Sequence, residues 1–334
     1  MEPTLEQQHA AYIAQLEQQH FRSLLRQATP RIWVYKALIA VNAAVFVVML
    51  FFGISLWWPK PLSVIPWANF GPYTAHGEWW RLLTCAFVHF GVLHIAVNMY
   101  ALKILGPLLE RLYGNAAFLT LYLLAGIGGS LASLVFHPAT PSAGASGAIF
   151  GLIGGILGFV VVARHSIPPT VLRNLRGAGL KLAGINLVLG FMIPFIDNAA
   201  HTGGLVIGFL AGLCLGRKLP PEPKRRTGRY LRAAVLGALL VVAAVPIGAR
   251  VRRDPVAILH GIDADLELGR PARALVRLDR AIETYPNEAE LYFLRGKARQ
   301  KLGRSDALAD YEKCLDLDPE HARANEAFNR LAPQ

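Results

Sequence analysis

Long apolar runs recur along this chain at about the length that a helix needs to cross a lipid bilayer, roughly 20 residues. Seven such runs lie at residues 37–58, 87–109, 116–136, 144–163, 180–196, 199–216 and 233–249. Charged residues make up only 17% of the 334 residues, whereas a soluble domain usually carries about 25%. The pattern predicts an all-α polytopic membrane helix bundle, with a core of six spans over residues 32–216 and one extra span.

The net charge of +12 is not concentrated in one basic face, as recognition of nucleic acid would require. Residues 254–334 carry 12 Lys and Arg against 15 Asp and Glu, a net charge of −3, so the rest of the chain carries +15. Most of this excess lies in short loops between apolar runs, which is the orientation signal of membrane proteins with several spans. We therefore expect the lipid bilayer as a partner, and no nucleic acid.

The distribution of Lys and Arg also predicts the orientation of the chain. If the N-terminus lies inside, the inner segments are 1–36, 101–115, 164–181 and 217–232, and together they hold 17 Lys and Arg. The outer segments are then 57–90, 137–145 and 197–200, and together they hold 2. This excess predicts a cytosolic N-terminus and, with seven spans, an extracytoplasmic C-terminal segment. The cluster Arg250, Arg252 and Arg253 disagrees, but the 7 positive charges of segment 217–232 outnumber it.

Segments outside the core are polar or mixed. We expect a cytosolic helical segment at residues 1–31 and a basic cytosolic linker at residues 217–232. The Trp-rich composition of residues 59–80 predicts an extended segment at the membrane surface. No cleavable signal peptide is recognisable in the polar first 30 residues.

An internal repeat marks residues 254–334. The sequence ALVRLDRAIETYP at 274–286 matches ALADYEKCLDLDP at 307–319, with an offset of 33 residues. Paired helices with a Gly turn and a closing Pro resemble tetratricopeptide repeats. The segment therefore predicts an α-helical repeat domain with about two repeats. Because such arrays usually need at least about three repeats to be stable, we expect it to pack an extra helix or to bind a protein partner.

Three apolar runs contain polar residues that a bilayer penalises, and such residues usually face the bundle interior and mark function. They lie in HFGVLHIAVN (89–98), GASGAIFG (144–151) and DNAAHTGG (197–204). Ser146 has only small neighbours, Gly144, Ala145 and Gly147, so its hydroxyl is open, and free N–H groups at a helix start can stabilise an oxyanion. The alternative is a packing serine at a contact between small residues of two spans.

His201 begins a run in which glycine recurs every four residues, at Gly204, Gly208, Gly212 and Gly216. The run after Ser146 has the same spacing, at Gly147, Gly151 and Gly155. Glycine stripes allow close helix contact, and if these two faces meet, His201 comes within hydrogen-bond reach of Ser146 as a general base. The alternative is a histidine that only forms a packing hydrogen bond.

His94 and Asn98 share one helical face and can both donate hydrogen bonds to an oxyanion. The pair His89 and His94 has a spacing of five, which does not stack two metal ligands, so we expect no metal and no cofactor. Asp197 stands four residues before His201 and is interpreted as a helix cap, with the third member of a catalytic triad as the alternative.

The ordered set GEWWR, His89, His94, Asn98, GASG and the pair Ala200–His201 resembles the rhomboid family of intramembrane serine proteases, over about residues 32–216. The resemblance implies an active site in which Ser146 is the nucleophile and His201 is the general base. It implies an oxyanion hole formed by His94, Asn98 and the Ser146 N–H. It also implies supporting residues, namely Trp80 and Arg81 in the first outer loop, Phe150 packed on the base, His89 beside the site, Gly144 and Gly147 around the nucleophile, and Gly106 and Glu110 near the end of the second span.

The expected reaction is hydrolysis of other membrane proteins within or next to a transmembrane segment. Zinc and aspartyl intramembrane proteases are disfavoured, since HExxH is missing and Asp197 stands alone near a span. The alternative is an inactive relative that binds or escorts membrane clients and uses its repeats as an assembly platform. The expected location is a bacterial inner membrane.

Overall fold

A computed structural model describes residues 4–192, 196–220 and 226–332. Within these ranges the chain is helical, and the only β-type pairing is an isolated bridge between Asn69 and Ser142. Six of the described helices are long and apolar enough to cross a membrane, namely α2 (Val34–Phe51), α6 (Val92–Tyr113), α7 (Asn115–Phe136), α8 (Ser146–Ala163), α10 (Asn198–Leu215) and α11 (Arg226–Arg252).

The predicted fifth span falls largely in α9 (Pro169–Met192), which is not among these six. Residues 193–195 of that predicted span lie outside the described residues, so a span there stays a prediction. Residues 226–232 of the predicted linker 217–232 are helical, since α11 begins at Arg226, and residues 221–225 lie outside the described residues.

Helix α8 lies at the centre of the bundle and packs closely on α7 and α10. The glycine stripes of α8 and α10 meet, as predicted: a Cβ on Gly204 would lie 2.0 Å from the carbonyl oxygen of Gly147, and a Cβ on Gly208 would lie 2.1 Å from that of Gly151. Since a side chain of any size would separate the two backbones, glycine fixes how α8 and α10 align. This alignment places the first turns of both helices side by side.

The N-terminal segment packs on the opposite end of the bundle. Helix α1 (Leu5–Ala28) begins with a capping box between Thr4 and Gln7 and buries Phe21 and Leu25 against the bundle core. The carboxylate of Glu110 accepts hydrogen bonds from the backbone N–H groups of residues 33, 34 and 35 at 2.7–3.0 Å. Glu110 thereby caps the start of α2, which otherwise leaves these donors unsatisfied.

The loop from residue 57 to residue 90, called here the outer loop, is not extended as predicted. It forms three short helices, α3 (Pro61–Val64), α4 (Gly71–Thr74) and α5 (Arg81–Thr84), and a 3₁₀ turn at Cys85–Phe87. Proline in the first turn of α3 and α4 supplies a backbone angle that starts a helix, which explains why this Pro-rich segment coils.

The C-terminal helices, α12 (Pro255–Glu267), α13 (Pro271–Thr284), α14 (Ala289–Lys301), α15 (Ala307–Leu317) and α16 (Ala322–Leu331), have an apolar core of their own. They form two helical hairpins followed by one more helix. Each hairpin turns at a glycine with positive φ, Gly269 at 69° and Gly303 at 70°, a conformation that suits glycine best. These helices contact the outer loop, where Ala264 of α12 packs with Ile65, Phe70 and Tyr73.

Candidate active site

The side chains of Ser146 and His201 meet where α8 and α10 begin. Ser146 is the first residue of α8, and His201 lies in the first turn of α10. The distance from Ser146 Oγ to His201 Nε2 is 2.9 Å, that of a hydrogen bond. His201 is 8% exposed, and Ser146 is partly open to the surface. A serine hydroxyl in contact with an imidazole nitrogen is the minimal arrangement for an activated nucleophile.

Phe150 packs against the imidazole of His201. It lies one turn after Ser146 on α8, and its ring stacks on that of His201 with centroids 4.1 Å apart and an interplanar angle of 14°. The second ring nitrogen of His201, Nδ1, is buried and has no hydrogen-bond partner among the described residues. The plane of the imidazole is therefore set by ring stacking and by the contact with Ser146.

Asp197 caps α10, as predicted. Its Oδ1 accepts a hydrogen bond from the backbone N–H of Ala200 at 3.0 Å. The same oxygen lies 3.6 Å from Nδ1 of His137, a half-exposed residue that follows α7. The carboxylate is thus occupied at the helix start and does not bond to His201.

His94 brings a donor to the same place. The backbone N–H of Phe90 donates to His94 Nδ1 at 3.1 Å, so in the neutral ring the proton resides on Nε2. A Cβ placed on Gly144 would lie 2.8 Å from His94 Nε2 and 3.8 Å from Ser146 Oγ. Gly144 has a φ of 125°, and because it carries no side chain, the ring of His94 packs directly against it.

Asn98 lies one turn after His94, is 5% exposed, and donates one amide hydrogen to the carbonyl oxygen of His94 at 2.9 Å. Its amide has a second hydrogen to donate. His89 is fully buried, but it precedes α6 and does not lie on the span as predicted, because Gly91 with a φ of 90° separates it from the helix. Its ring contacts that of His94 edge to face at 5.1 Å.

The outer loop supports the segment that leads to Ser146. The backbones of Asn69 and Ser142 exchange two hydrogen bonds of 2.9 and 2.8 Å, and the N–H of Gly144 donates to the carbonyl of Cys85 at 2.9 Å. The amide of Asn69 also donates to the carbonyl of Ser130 on α7 at 3.0 Å. Sequence analysis missed Asn69, a lone asparagine without a neighbouring motif.

Arg81 and Trp80 differ in their surroundings. Arg81 is 4% exposed, and its Nη1 donates to the carbonyls of Ile65 and Ala68 at 2.8 and 2.6 Å, so it holds the outer loop together. Trp80 is 58% exposed. Of the predicted site residues, the structure groups His94, Phe150 and His201 around Ser146. It buries Arg81 in the outer loop and leaves Trp80 at the surface.

Part of the chain is similar to known proteins. Residues 76–218 match the family described as the rhomboid domain. The chain is 46% identical over 167 residues to the rhomboid protease GluP of Bacillus subtilis (strain 168), which covers 50% of this chain and 31% of that protein. It is 41% identical over 140 residues to RHOMBOID-like protein 4 of Arabidopsis thaliana, covering 41% of this chain and 34% of the relative.

These matches show that the central part of the chain is similar to rhomboid domains, and the six apolar helices are consistent with a multi-pass membrane protein. The chain spans about a third of the length of these two curated relatives. A third relative, the mitochondrial RHOMBOID-like protein 6 of Arabidopsis thaliana, is 36% identical over 161 residues, 48% of this chain and 50% of its own length. The C-terminal helices lie outside residues 76–218.

Proposed function

We propose that this chain is an intramembrane serine endopeptidase in which Ser146 is the nucleophile and His201 is the general base. The observation that carries the proposal is the hydrogen bond of 2.9 Å between Ser146 Oγ and His201 Nε2. Two features support it: the glycine contacts that align α8 with α10, and the ring of Phe150 stacked on the imidazole. The family match and the relationship to a rhomboid protease point to the same chemistry.

The reaction proceeds in two halves. Ser146 Oγ attacks the carbonyl carbon of the scissile peptide while His201 Nε2 takes the hydroxyl proton. The imidazolium then gives this proton to the leaving amine, the C–N bond breaks, and an acyl-enzyme remains. A water molecule attacks the ester with His201 again as base, which releases the carboxylic acid and restores Ser146.

The negative charge on the substrate oxygen needs donors that are in place before the reaction. The N–H of Ser146 is suited because the first N–H groups of a helix have no acceptor within the helix. His94 Nε2 lies beside Gly144, two residues before Ser146, and Asn98 has a second amide hydrogen on the same face of α6. The oxyanion hole is assigned to these three groups.

The site is assigned as a dyad. In a triad, a carboxylate bonds to Nδ1 of the histidine and fixes its orientation. Here the carboxylate of Asp197 bonds to Ala200 and Nδ1 of His201 has no partner among the residues described. The stack on Phe150 takes over the orienting role.

The substrates are transmembrane proteins, cut within or next to a transmembrane segment, because Ser146 and His201 begin helices of spanning length. The topology follows from the Lys and Arg distribution, with the N-terminus in the cytosol of a bacterial cell and the site and C-terminal helices outside. The contact between the C-terminal helices and the outer loop supports placing both on one side. The C-terminal helices are assigned as tetratricopeptide-like, able to bind a protein partner.

The test is labelling of the purified full-length protein with a fluorophosphonate, which reacts with activated serines. The wild type and a Ser166→Ala control, altered near the opposite end of α8, are expected to be labelled and to cleave a model transmembrane substrate. Ser146→Ala and His201→Ala are expected to lose both. A wild type that folds but neither labels nor cleaves would favour the inactive relative that escorts membrane clients.

A further inference from the structure

A group of polar and charged side chains around the buried Tyr73 and Asp265 fastens the C-terminal helices to the outer loop. We call this group, Tyr73, Glu78, Asp265, Arg273 and Arg277, the joint. The Tyr73 hydroxyl donates to Asp265 Oδ1 at 2.6 Å, and Arg277 Nε donates to Asp265 Oδ2 at 2.9 Å. Arg273 Nη2 donates to Glu78 Oε1 at 2.6 Å. Tyr73 and Asp265 are both 0% exposed, and removing a partner from a buried charge is strongly destabilising.

The aromatic ring of Tyr73 adds a second contact to the joint. The guanidinium carbons of Arg273 and Arg277 lie 4.2 and 5.3 Å from its ring centroid, within the range of cation–π attraction. Burial, with the hydrogen bond to Asp265, raises the pKa of Tyr73, so its hydroxyl remains a donor at neutral pH. The joint is therefore a specific, fully paired contact between segments that are 192 residues apart in sequence.

The internal repeat shows that this contact is peculiar to the first hairpin. Asp265 and Arg277 correspond in the repeat to Arg299 and Asp310, where the same ion pair recurs with its charges exchanged, Arg299 Nη1 to Asp310 Oδ2 at 2.7 Å. Among the described residues, Asp310, which is 2% exposed, is bound by Arg295 and Arg299. Because the acidic and basic positions are exchanged, the carboxylate of the first hairpin, Asp265, lies on α12, where it accepts the hydrogen bond from Tyr73.

From the joint, direct contacts lead to the segment before Ser146. Glu78 also accepts from Arg81 Nε at 2.7 Å, and Arg81 holds the carbonyls of Ile65 and Ala68. The next residue, Asn69, pairs with Ser142, four residues before the nucleophile. Thr74, adjacent to Tyr73, donates to the side chain of Asn69 at 2.8 Å. Contacts from Glu78 through Arg81, and from Tyr73 through its neighbour Thr74, thus both lead to Asn69.

We propose that Asp265 and Arg273 are positioning residues for the reaction at Ser146, because they hold the outer loop in the arrangement that aligns residues 142–146. The proposal rests on the proposed function. Neither residue touches the reacting atoms, and both lie outside the part of the chain that matches the rhomboid domain. The C-terminal helices are then part of the structure that makes Ser146 reactive.

The test measures two quantities on full-length protein in proteoliposomes: the second-order rate at which Ser146 reacts with a fluorophosphonate, and kcat and KM for a model transmembrane substrate. Asp265→Asn and Arg273→Ala are expected to lower the labelling rate and kcat by about 10-fold or more with KM little changed, since a misplacement of about 1 Å costs up to about 10²-fold. Arg273→Lys, which keeps a charge for Glu78, is expected to restore part of the rate.

The matched control is Asp310→Asn, which breaks the equivalent buried ion pair of the second hairpin. It is expected to lower the unfolding temperature as much as Asp265→Asn but to leave the labelling rate within about 2-fold of wild type. If Asp265→Asn does not fold, Tyr73→Phe, which removes only one hydroxyl, is expected to slow labelling in a folded protein.

Two results would overturn the proposal. One is a wild-type labelling rate in folded Arg273→Ala and Tyr73→Phe, and the other is equal slowing in Asp310→Asn, which would indicate general destabilisation. Either result leaves the proposed function in place, because the wild type still reacts. A wild type in which Ser146 is unreactive would remove both proposals.

Discussion

The ring of Phe150 lies parallel to the imidazole of His201, with 4.1 Å between the centroids. Both residues are nearly buried, at 6% and 8% exposure. Stacking restricts rotation of the imidazole about its long axis and keeps Nε2 directed at Ser146 Oγ. In the proposed dyad, the ring of Phe150 takes the orienting role that a carboxylate has in a triad, and it adds no charge.

Replacement of Phe150 by Leu is expected to lower kcat by about 3- to 10-fold, because aromatic pairs contribute about 0.5–1.5 kcal/mol beyond the area they bury. Phe159→Leu is the matched control, since Phe159 is a buried phenylalanine further along the same helix that contacts Tyr113. Both variants are expected to unfold at a lower temperature, and only Phe150→Leu is expected to react slowly with a fluorophosphonate. Equal rates for the two variants would mean that the stack does not orient His201.

Asp197→Asn is expected to retain most activity. Asn caps a helix about as well as Asp, and the bond that Asp197 makes is to the N–H of Ala200. Replacing the aspartate of a true triad lowers kcat by about 10⁴-fold. Measurement of kcat separates the two cases, and a loss of that size in a folded variant would require a triad.

Asn98→Ala is expected to lower kcat by about 10²- to 10³-fold with little change in KM, the cost of removing one oxyanion donor. The variant also loses the intrahelical bond to the carbonyl of His94. Asn42→Ala controls for this loss, because Asn42 makes the same kind of bond to the carbonyl of Leu38 at 2.7 Å, on another helix. A rise in KM alone would make Asn98 a substrate-binding residue.

The sequence predicted those features that depend on local spacing. Glycine every four residues indicated that α8 and α10 can pack closely, a single Asp before an apolar run predicted the cap of α10, and the repeated Gly turn predicted two hairpins. Features that depend on backbone conformation in loops were not predicted. Gly91 delays the start of α6 and leaves His89 outside the span, and prolines start short helices in a segment that was predicted to be extended.

The joint could not be predicted, because its partners are far apart in sequence and each has an ordinary local explanation. Glu78 lies in the motif GEWWR and pairs locally with Arg81, but its second partner, Arg273, is 195 residues away. Asp265 lies on α12, and the internal repeat predicts only that this segment is one helix of a hairpin. Spacing along a chain shows which residues share a face, and it does not show which distant face they meet.

Gly208→Ala is expected to destabilise the bundle. A methyl group there would lie 2.1 Å from the carbonyl oxygen and 2.3 Å from the Cα of Gly151, so the two helices must move apart. Overpacking of this kind costs about 1–3 kcal/mol, which thermal unfolding in detergent micelles would detect. Gly184→Ala is the control, since a methyl group at Gly184 meets nothing within 4 Å. Equal unfolding temperatures for the two variants would contradict the close packing of α8 on α10.

The joint is expected to weaken in acid through Glu78. Burial acts to raise the pKa of Glu78, but the hydrogen bonds from Arg273 and Arg81 outweigh it and hold the pKa below its ordinary value. The unfolded chain therefore binds the proton at a higher pH than the folded protein does. The stabilisation is complete above the unfolded pKa, about 4.3, and is lost as the pH falls through the lower folded value.

Glu78→Gln removes this titration and tests its sign. At pH 7 the variant is expected to unfold at a lower temperature than wild type and to expose the outer loop to hydrogen exchange, because Arg273 and Arg81 lose their carboxylate. The difference is expected to shrink below about pH 4.3 as wild-type Glu78 takes up its own proton. A difference that stays constant from pH 7 to about pH 3 would show that Glu78 does not stabilise the joint through its charge.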